Sequence, residues 1–264
     1  MKSMKKLRQE FDRLYSLGDP QGSEDQTAGA LRLVGSGDRV RAIIISFQRA
    51  TDWARVSMCY QGLLDDLELS PPAISVSGRA GYQLWLSLAA PISLAQAQAF
   101  YEALRLAYLA DIPVQHLRFY PSDSEMAVSL VPAVCEVTGK WSAFIDPTMG
   151  AMFLDEPGLE MAPNMDRQAD ILSGLRSIDA EGFERTLGLL QGRVDAATEA
   201  EKDLAREQTQ LVARDVSTGL KLGVGNRYTD PKSFLLAVMN DPSASAGHRI
   251  KAAKALRPYF KSGK

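Results

Sequence analysis

The chain has 264 residues, 45% of them hydrophobic, with a formal net charge of −2, enough apolar material for one sizeable core or for a core domain joined to a smaller helical one. No apolar run approaches the ~20 residues that cross a bilayer, and the charged start MKSMKKLRQEFDRLYSLGD lacks the unbroken apolar stretch of a secretion signal, so a cytoplasmic protein that engages no membrane is expected. Cys59 and Cys135 sit in apolar surroundings without CxxC or Cys/His partners, which argues for buried reduced thiols and against a zinc site or disulfide framework.

Leu7, Phe11, Leu14 and Tyr15 form one face of an N-terminal helix, and the polar stretch DPQGSEDQTAG separates it from the core. LRLV (31–34) and VRAIIISF (40–47) read as two strands around a tight turn; Ile43, Ile44 and Ile45 lack alternation, as in a strand covered on both faces. From Asp52, placed as an N-cap, Trp53, Val56, Cys59, Tyr60, Leu63, Leu64 and Leu67 recur at helical spacing until SPP stops them. AISVS (73–77), the turn GRAG and YQLWLSL (82–88) form a hairpin, and Ser93 caps a helix with the stripe Ala97, Phe100, Tyr101, Leu104, Tyr108. VQHLRFY (114–120), MAVSLVPAV (126–134) and WSAFID (141–146) supply further strands. Past DEPGLEMAPN the spacing turns helical, ending in TDPKSFLLAVMN, with Asp before Pro231, and HRIKAAKALRPYF.

The predicted fold is therefore α+β. Residues 1–30 form a helix and linker, 31–155 a core with the order βαββαβ over 40–120 plus extra strands, and 160–264 an all-helical domain. That order is the split arrangement of ferredoxin-like and RNA-recognition domains and of several polymerase palms, with helices on one sheet face and the other face open. Charge is uneven as well: residues 205–264 hold eleven Lys and Arg against four acids, a net +7 that leaves −9 elsewhere. Lys251, Lys254 and Arg257 form a ridge suited to DNA phosphates or an acidic partner, or equally a solvated helix face.

The stretch VSGRAGYQLWLSL (76–88) has two glycines around Arg79 and Ala80, so the turn can bring N–H groups and a cation to a phosphate, with Ser77 and Gln83 adding polar groups. An ordinary glycine hairpin with an exposed arginine fits the same residues. On VQHLRFY, strand alternation puts His116, Arg118 and Tyr120 on one face, where Tyr120 could stack a base and Arg118 pair a phosphate; a partly exposed strand is the plainer reading. Neither histidine has metal-ligand spacing, SDSE (122–125) lacks the Gly-x-Ser-x-Gly setting of a hydrolase nucleophile, and no P-loop is present.

The run of a strand ending in IIISFQ, a helix, a strand, SGRAGYQ and an alternating strand resembles the archaeo-eukaryotic primase superfamily, nearest to the RepB-type replication primases of plasmids and phages through the local YQLW. The resemblance covers roughly residues 40–146. It implies a primase palm, nucleotidyl transfer in DNA replication, magnesium or manganese if active, and single-stranded DNA, nucleotide or a replication protein as partner. In that family a carboxylate pair ends the first palm strand, because two divalent cations need anionic oxygen ligands. Those positions here are Ser46 and Gln48, Gln83 takes the place after the hairpin, and Asp146 is the candidate for the later aspartate. With both acids missing, a catalytically degenerate primase-like protein of a phage, plasmid or mobile element is expected, with no metal bound. An active primase-polymerase with shifted ligands, and a ferredoxin-like protein-interaction module, are the alternatives. The tail from Asp230 also resembles, over a short stretch, small-terminase-like DNA-binding subunits of phages.

Overall fold

A computed structural model describes residues 2–18, 29–217, 228, 230–242 and 244–260. The predicted linker DPQGSEDQTAG lies outside them except for Gly29, and of the eleven basic residues near the end of the chain, only Lys232, Arg249, Lys251, Lys254 and Arg257 have described side chains. The chain is mixed α+β and divides into two compact units, residues 1–197 and 198–264.

In the first unit, helix α1 (Lys2–Tyr15) precedes β1 (Ala30–Arg32), β2 (Val34–Gly35) and β3 (Arg39–Phe47). A 3-10 turn, Ala50–Asp52, leads into α2 (Trp53–Gln61), which continues as a π-turn, Gly62–Asp66. Then come β4 (Ala73–Val76), β5 (Tyr82–Ser93), α3 (Leu94–Tyr108), β6 (Leu117–Tyr120), β7 (Ala127–Ser129), β8 (Ala143–Ile145) and α4 (Met165–Ser173). Helix α5 is Ala180–Ser217. The main sheet runs β2-β3-β5-β4-β8, with β6 on the same edge of β3 as β2 but further along the strand; every pairing is antiparallel. β1 and β7 make a separate two-stranded ribbon, so the run 31–34 is divided between two sheets.

β3 is covered on both faces, as its three isoleucines require. Ile43, Ile45 and Phe47 pack with Val56 of α2, Leu63 of the π-turn and Phe100 and Leu104 of α3, while Ile44 faces the other way, toward Phe11, Leu14 and Trp85. Fully burying side chains of this size contributes roughly 1.5–3 kcal/mol each. Ser93 and Gln96 form a complete capping box at the start of α3, worth about 1 kcal/mol.

The second sheet face is not open throughout. Phe11 and Tyr15 of α1 and Phe144 of β8 surround Trp85 with ring centroids 5.4–5.8 Å away, and Ala169 and Leu172 of α4 complete this layer. Trp85 occupies a strand position whose neighbours on that face are Gln83, half-buried, and Ser87, buried with its hydroxyl donating to Ser177 Oγ at 2.7 Å. Gln168 of α4 accepts from the Phe144 N–H at 2.7 Å and donates to its carbonyl at 2.9 Å, so the outer edge of β8 is closed by a side chain.

The compact unit extends past the expected helical boundary at 160, because α4 and the Phe183, Leu187 and Leu190 face of α5 are buried in the sheet's two hydrophobic layers. Three local expectations also change. Asp52 makes no side-chain cap, and its Oδ2 is buried without a hydrogen-bond partner. Residues 114–116 form a 3-10 turn, so His116 does not share the alternation of β6. Cys59 is buried and its thiol pushed up to about 12, whereas Cys135 is partly exposed at a turn.

In the second unit, α6 (Pro231–Asn240) begins with Asp230 Oδ1 accepting from the N–H groups of Lys232 and Ser233, and with proline in its first turn. α7 (Ala246–Leu256) is capped by Ser245 and runs into a 3-10 turn, Arg257–Phe260. Val238, Ala252 and Leu256 are its buried contacts. Among the described residues, no helix is long and apolar enough to cross a membrane.

Candidate functional site

Residues directly opposite each other in an antiparallel sheet leave the same face. Counting across the sheet, Arg118 of β6 pairs with Ser46 of β3, Ser46 with Gln83 of β5, Gln83 with Ser75 of β4, and Ser75 with Phe144 of β8. Four polar side chains therefore form one row across adjacent strands, about 14 Å from Arg118 to Ser75 at ordinary strand spacing. One pleat back along the strands the same face carries Tyr120, Ile44, Trp85 and Ala73, the start of the layer beneath α1. The polar row thus begins where the aromatic layer gives way to side chains that can hydrogen-bond.

The hydrogen bonds within the row set its chemical character. Trp85 Nε1 donates to Ser75 Oγ at 2.9 Å, and fully buried Ser75 spends its own hydrogen on Gln83 Oε1 at 3.1 Å. Indole nitrogen is a donor only and a hydroxyl has one hydrogen, so this relay leaves Gln83 with its Nε2 hydrogens to offer. Gln48 Nε2 in turn donates to Ser46 Oγ at 2.9 Å, which occupies that oxygen as an acceptor and leaves the Ser46 hydroxyl hydrogen to give. Gln48 is itself held by its backbone N–H, which donates to the His116 carbonyl at 2.8 Å. Arg118, 54% exposed in its side chain, adds a cation at one end and pairs with Glu125 at 3.0 Å. Its pKa is raised, first by a hydrogen bond with Tyr120, then by the Glu125 charge. The row presents donors, the complement of an anionic oxygen.

The hairpin after β4 is organised differently from the phosphate cradle expected of it. Ser77 Oγ accepts from the N–H groups of Arg79, Ala80 and Gly81 at 3.2, 2.9 and 3.1 Å, so the turn satisfies its own donors. Both glycines have packing reasons. Gly78 has φ +73°, and a Cβ there would lie 2.9 Å from the Lys140 carbonyl; at Gly81 it would lie 2.2 Å from the Phe47 carbonyl. The turn is thereby pressed against the end of β3, keeping Gln83 in register with Ser46. Arg79 is exposed and lies close enough to Cys135 for its charge to favour the thiolate, whose lowered pKa comes mainly from a Thr138 hydrogen bond.

Ser46, Gln48 and Gln83 are brought together; Asp146 is not. It comes after β8, three strands from β3, and its Oδ1 accepts from both the N–H and the hydroxyl of Thr148, at 2.9 and 2.6 Å, at the start of the 3-10 helix Pro147–Phe153. Those bonds hold its carboxyl below the usual range. His116 stands beside Gln48 through its backbone, and its Nδ1 is buried without a hydrogen-bond partner. Tyr120 lies on the Arg118 face; its carbonyl accepts from Tyr101 Oη, and burial raises its phenol pKa. Lys251, Lys254 and Arg257 are exposed in the second unit.

The residues at 46, 48 and 83 do not fit a pair of divalent cations. Their oxygens are neutral, Ser46 Oγ and Gln83 Oε1 already accept protein hydrogens, and the one carboxylate expected to join them is committed elsewhere. Ser75 and the Trp85 indole belong to this hydrogen-bonded row, and strand patterning passed over both. A signal for Ser75 does exist: the hairpin pairs Val76 with Tyr82, so Ser75 must face Gln83. The family-model scan and the search of curated proteins found no match for this chain.

Proposed function

We propose that this chain is a primase-like replication protein of a phage, plasmid or related mobile element that binds single-stranded DNA or nucleotide phosphates directly, through hydrogen-bond donors in place of metal-bridging acids. The observation that carries the reading is the orientation of the Gln83 amide by Trp85 and Ser75, beside the Ser46 hydroxyl and Arg118. The strand order β6-β3-β5-β4, with α2 and α3 as crossovers, supports a ferredoxin-like, palm-type sheet. A donor row of this kind tracks a phosphate without the charge needed to activate a primer hydroxyl, which makes the protein a noncatalytic binder or a partner of an active replication enzyme. Arg79, exposed on the hairpin beside this row, would add a backbone contact that depends on charge alone.

The test is fluorescence anisotropy with labelled oligothymidylate across a salt series, with and without EDTA. Salt-sensitive, EDTA-insensitive affinity is expected, and Gln83→Glu and Arg118→Glu should each weaken it on the order of tenfold. Absence of salt-sensitive binding in the unmodified chain, or unchanged binding in both variants, would overturn the reading. Manganese-dependent primer synthesis abolished by Asp146→Ala would establish an active polymerase instead.

A further inference from the structure

The α6–α7 hairpin holds a groove of about 310 Å³ lined by Phe234, Leu235 and Val238 from α6 and by His248, Lys251, Ala252 and Ala255 from α7. Its floor is apolar and its α7 wall is low, because two of the wall residues are alanines. Phe234 is 43% exposed, a large apolar side chain left at the lip. Two short helices with three buried residues cannot cover their own apolar surface.

The charge around this groove has one sign. α7 contains no acidic residue; Lys251 and Lys254 are exposed, with no carboxylate partner among the described residues, and Arg257 stands at the helix end. The two aspartates of the hairpin, Asp230 and Asp241, stand at the two ends of α6, and Asp230 is taken up by the N–H groups of Lys232 and Ser233. Arg249 is turned onto the Met239 carbonyl.

We propose that this groove docks an acidic amphipathic helix of a partner protein, with apolar anchors at i, i+3 or i+4 and i+7 seated over Val238, Ala252 and Ala255, and with Asp or Glu beside them meeting Lys251 and Lys254. The apolar floor favours a peptide over nucleic acid: Leu235, Val238, Ala252 and Ala255 offer no side-chain hydrogen bond to a base edge, which would lose its water on entry. The edge of Phe234 or Tyr228 is occupied by the other ring, at 5.9 Å between centroids and 71°. Helix-in-groove recognition uses this combination of spaced anchors and a charged rim. The inference is independent of the sheet site.

The experiment displays a random library of helix-length peptides against the full-length chain, with an Ala255→Glu chain as the counter-target and Lys251→Glu as a second variant. Both positions are exposed on α7, and circular dichroism checks that helicity is unchanged. Enriched peptides are expected to carry spaced apolar residues interleaved with Asp or Glu, and to bind each variant on the order of tenfold more weakly. Failure to enrich above the Ala255→Glu chain, or enrichment of basic peptides, overturns the proposal. Oligothymidylate binding that is lost in Ala255→Glu would assign the groove to nucleic acid.

Discussion

Ser46 and Gln83 stand opposite each other in the antiparallel register of β3 and β5, so their side chains leave the sheet side by side. The pairing places the penultimate residue of the buried core strand next to the amide oriented by Trp85 and Ser75. Hydrogen-bond direction at this point, more than residue type, makes the row a donor surface.

Ser75→Ala removes the link in that relay. It leaves the buried Trp85 Nε1 without an acceptor and frees Gln83 to rotate, costing about 1–3 kcal/mol of stability. Urea unfolding should show the loss, and oligothymidylate affinity should fall even though residue 75 touches no ligand. Unchanged affinity would mean that the Gln83 orientation has no bearing on binding.

Ser46→Asp combined with Gln48→Asp places two anions at the end of β3. Ser46 is only 4% exposed, so repulsion and desolvation should lower stability by several kcal/mol. Manganese should then raise the thermal midpoint of the double variant while leaving the unmodified chain unchanged. An equal rise in the unmodified chain would show that it holds the cation with other ligands.

Asp146 acts as a cap, and the Thr148 bonds determine its pH behaviour. A depressed carboxyl pKa contributes stability that is complete above the unfolded value of about 3.9 and is lost as pH falls through the lower folded value. Asp146→Asn retains the accepting oxygen and should flatten this part of the acid response. Asp146→Ala should cost about 0.5–1 kcal/mol at neutral pH, with solvent screening keeping it small. Chemical unfolding in acid and at neutral pH separates the two, and neither variant should alter oligothymidylate affinity.

Gly81→Ala would set a Cβ 2.2 Å from the Phe47 carbonyl and 2.9 Å from the Arg49 nitrogen, both backbone atoms that cannot swing aside. A loss of about 1–3 kcal/mol is expected, with weaker binding as Gln83 shifts against Ser46. Gly139→Ala is the control: φ is +71° there but nothing lies within 4 Å, so only the strain of the left-handed conformation is incurred, roughly 1–2 kcal/mol. Thermal unfolding of both variants gives the comparison.

Much of the architecture was legible from patterning. The non-alternating Ile43–Ile45 run announced a strand covered on both sides, Ser93 marked the start of α3, and Asp230 with Pro231 marked α6. Such signals are local: the pleat, the turn and the capping bond each involve residues close in sequence, so spacing carries them. Gln83 stands out the same way, at the strand end after the glycine turn, whereas Ser46 and Gln48 are marked only by the resemblance to primases.

Long-range packing set the rest. Trp85 looks like an outward residue in its strand, and only the arrival of α1 and α4 over it makes that half of the face interior. Asp146 reads as a candidate ligand until β8 is found three strands from β3, with the carboxylate turned onto Thr148. Whether a side chain offers a hydrogen or a lone pair depends on which neighbour already holds its other atoms, and for Gln83 that neighbour is Ser75, supplied by strand register and backed by an indole in the core. The chain's residue types and periodicities specify the elements, but the direction of each polar bond arises when neighbouring strands come to lie about 4.8 Å apart, one strand spacing, and their side chains must satisfy one another away from water.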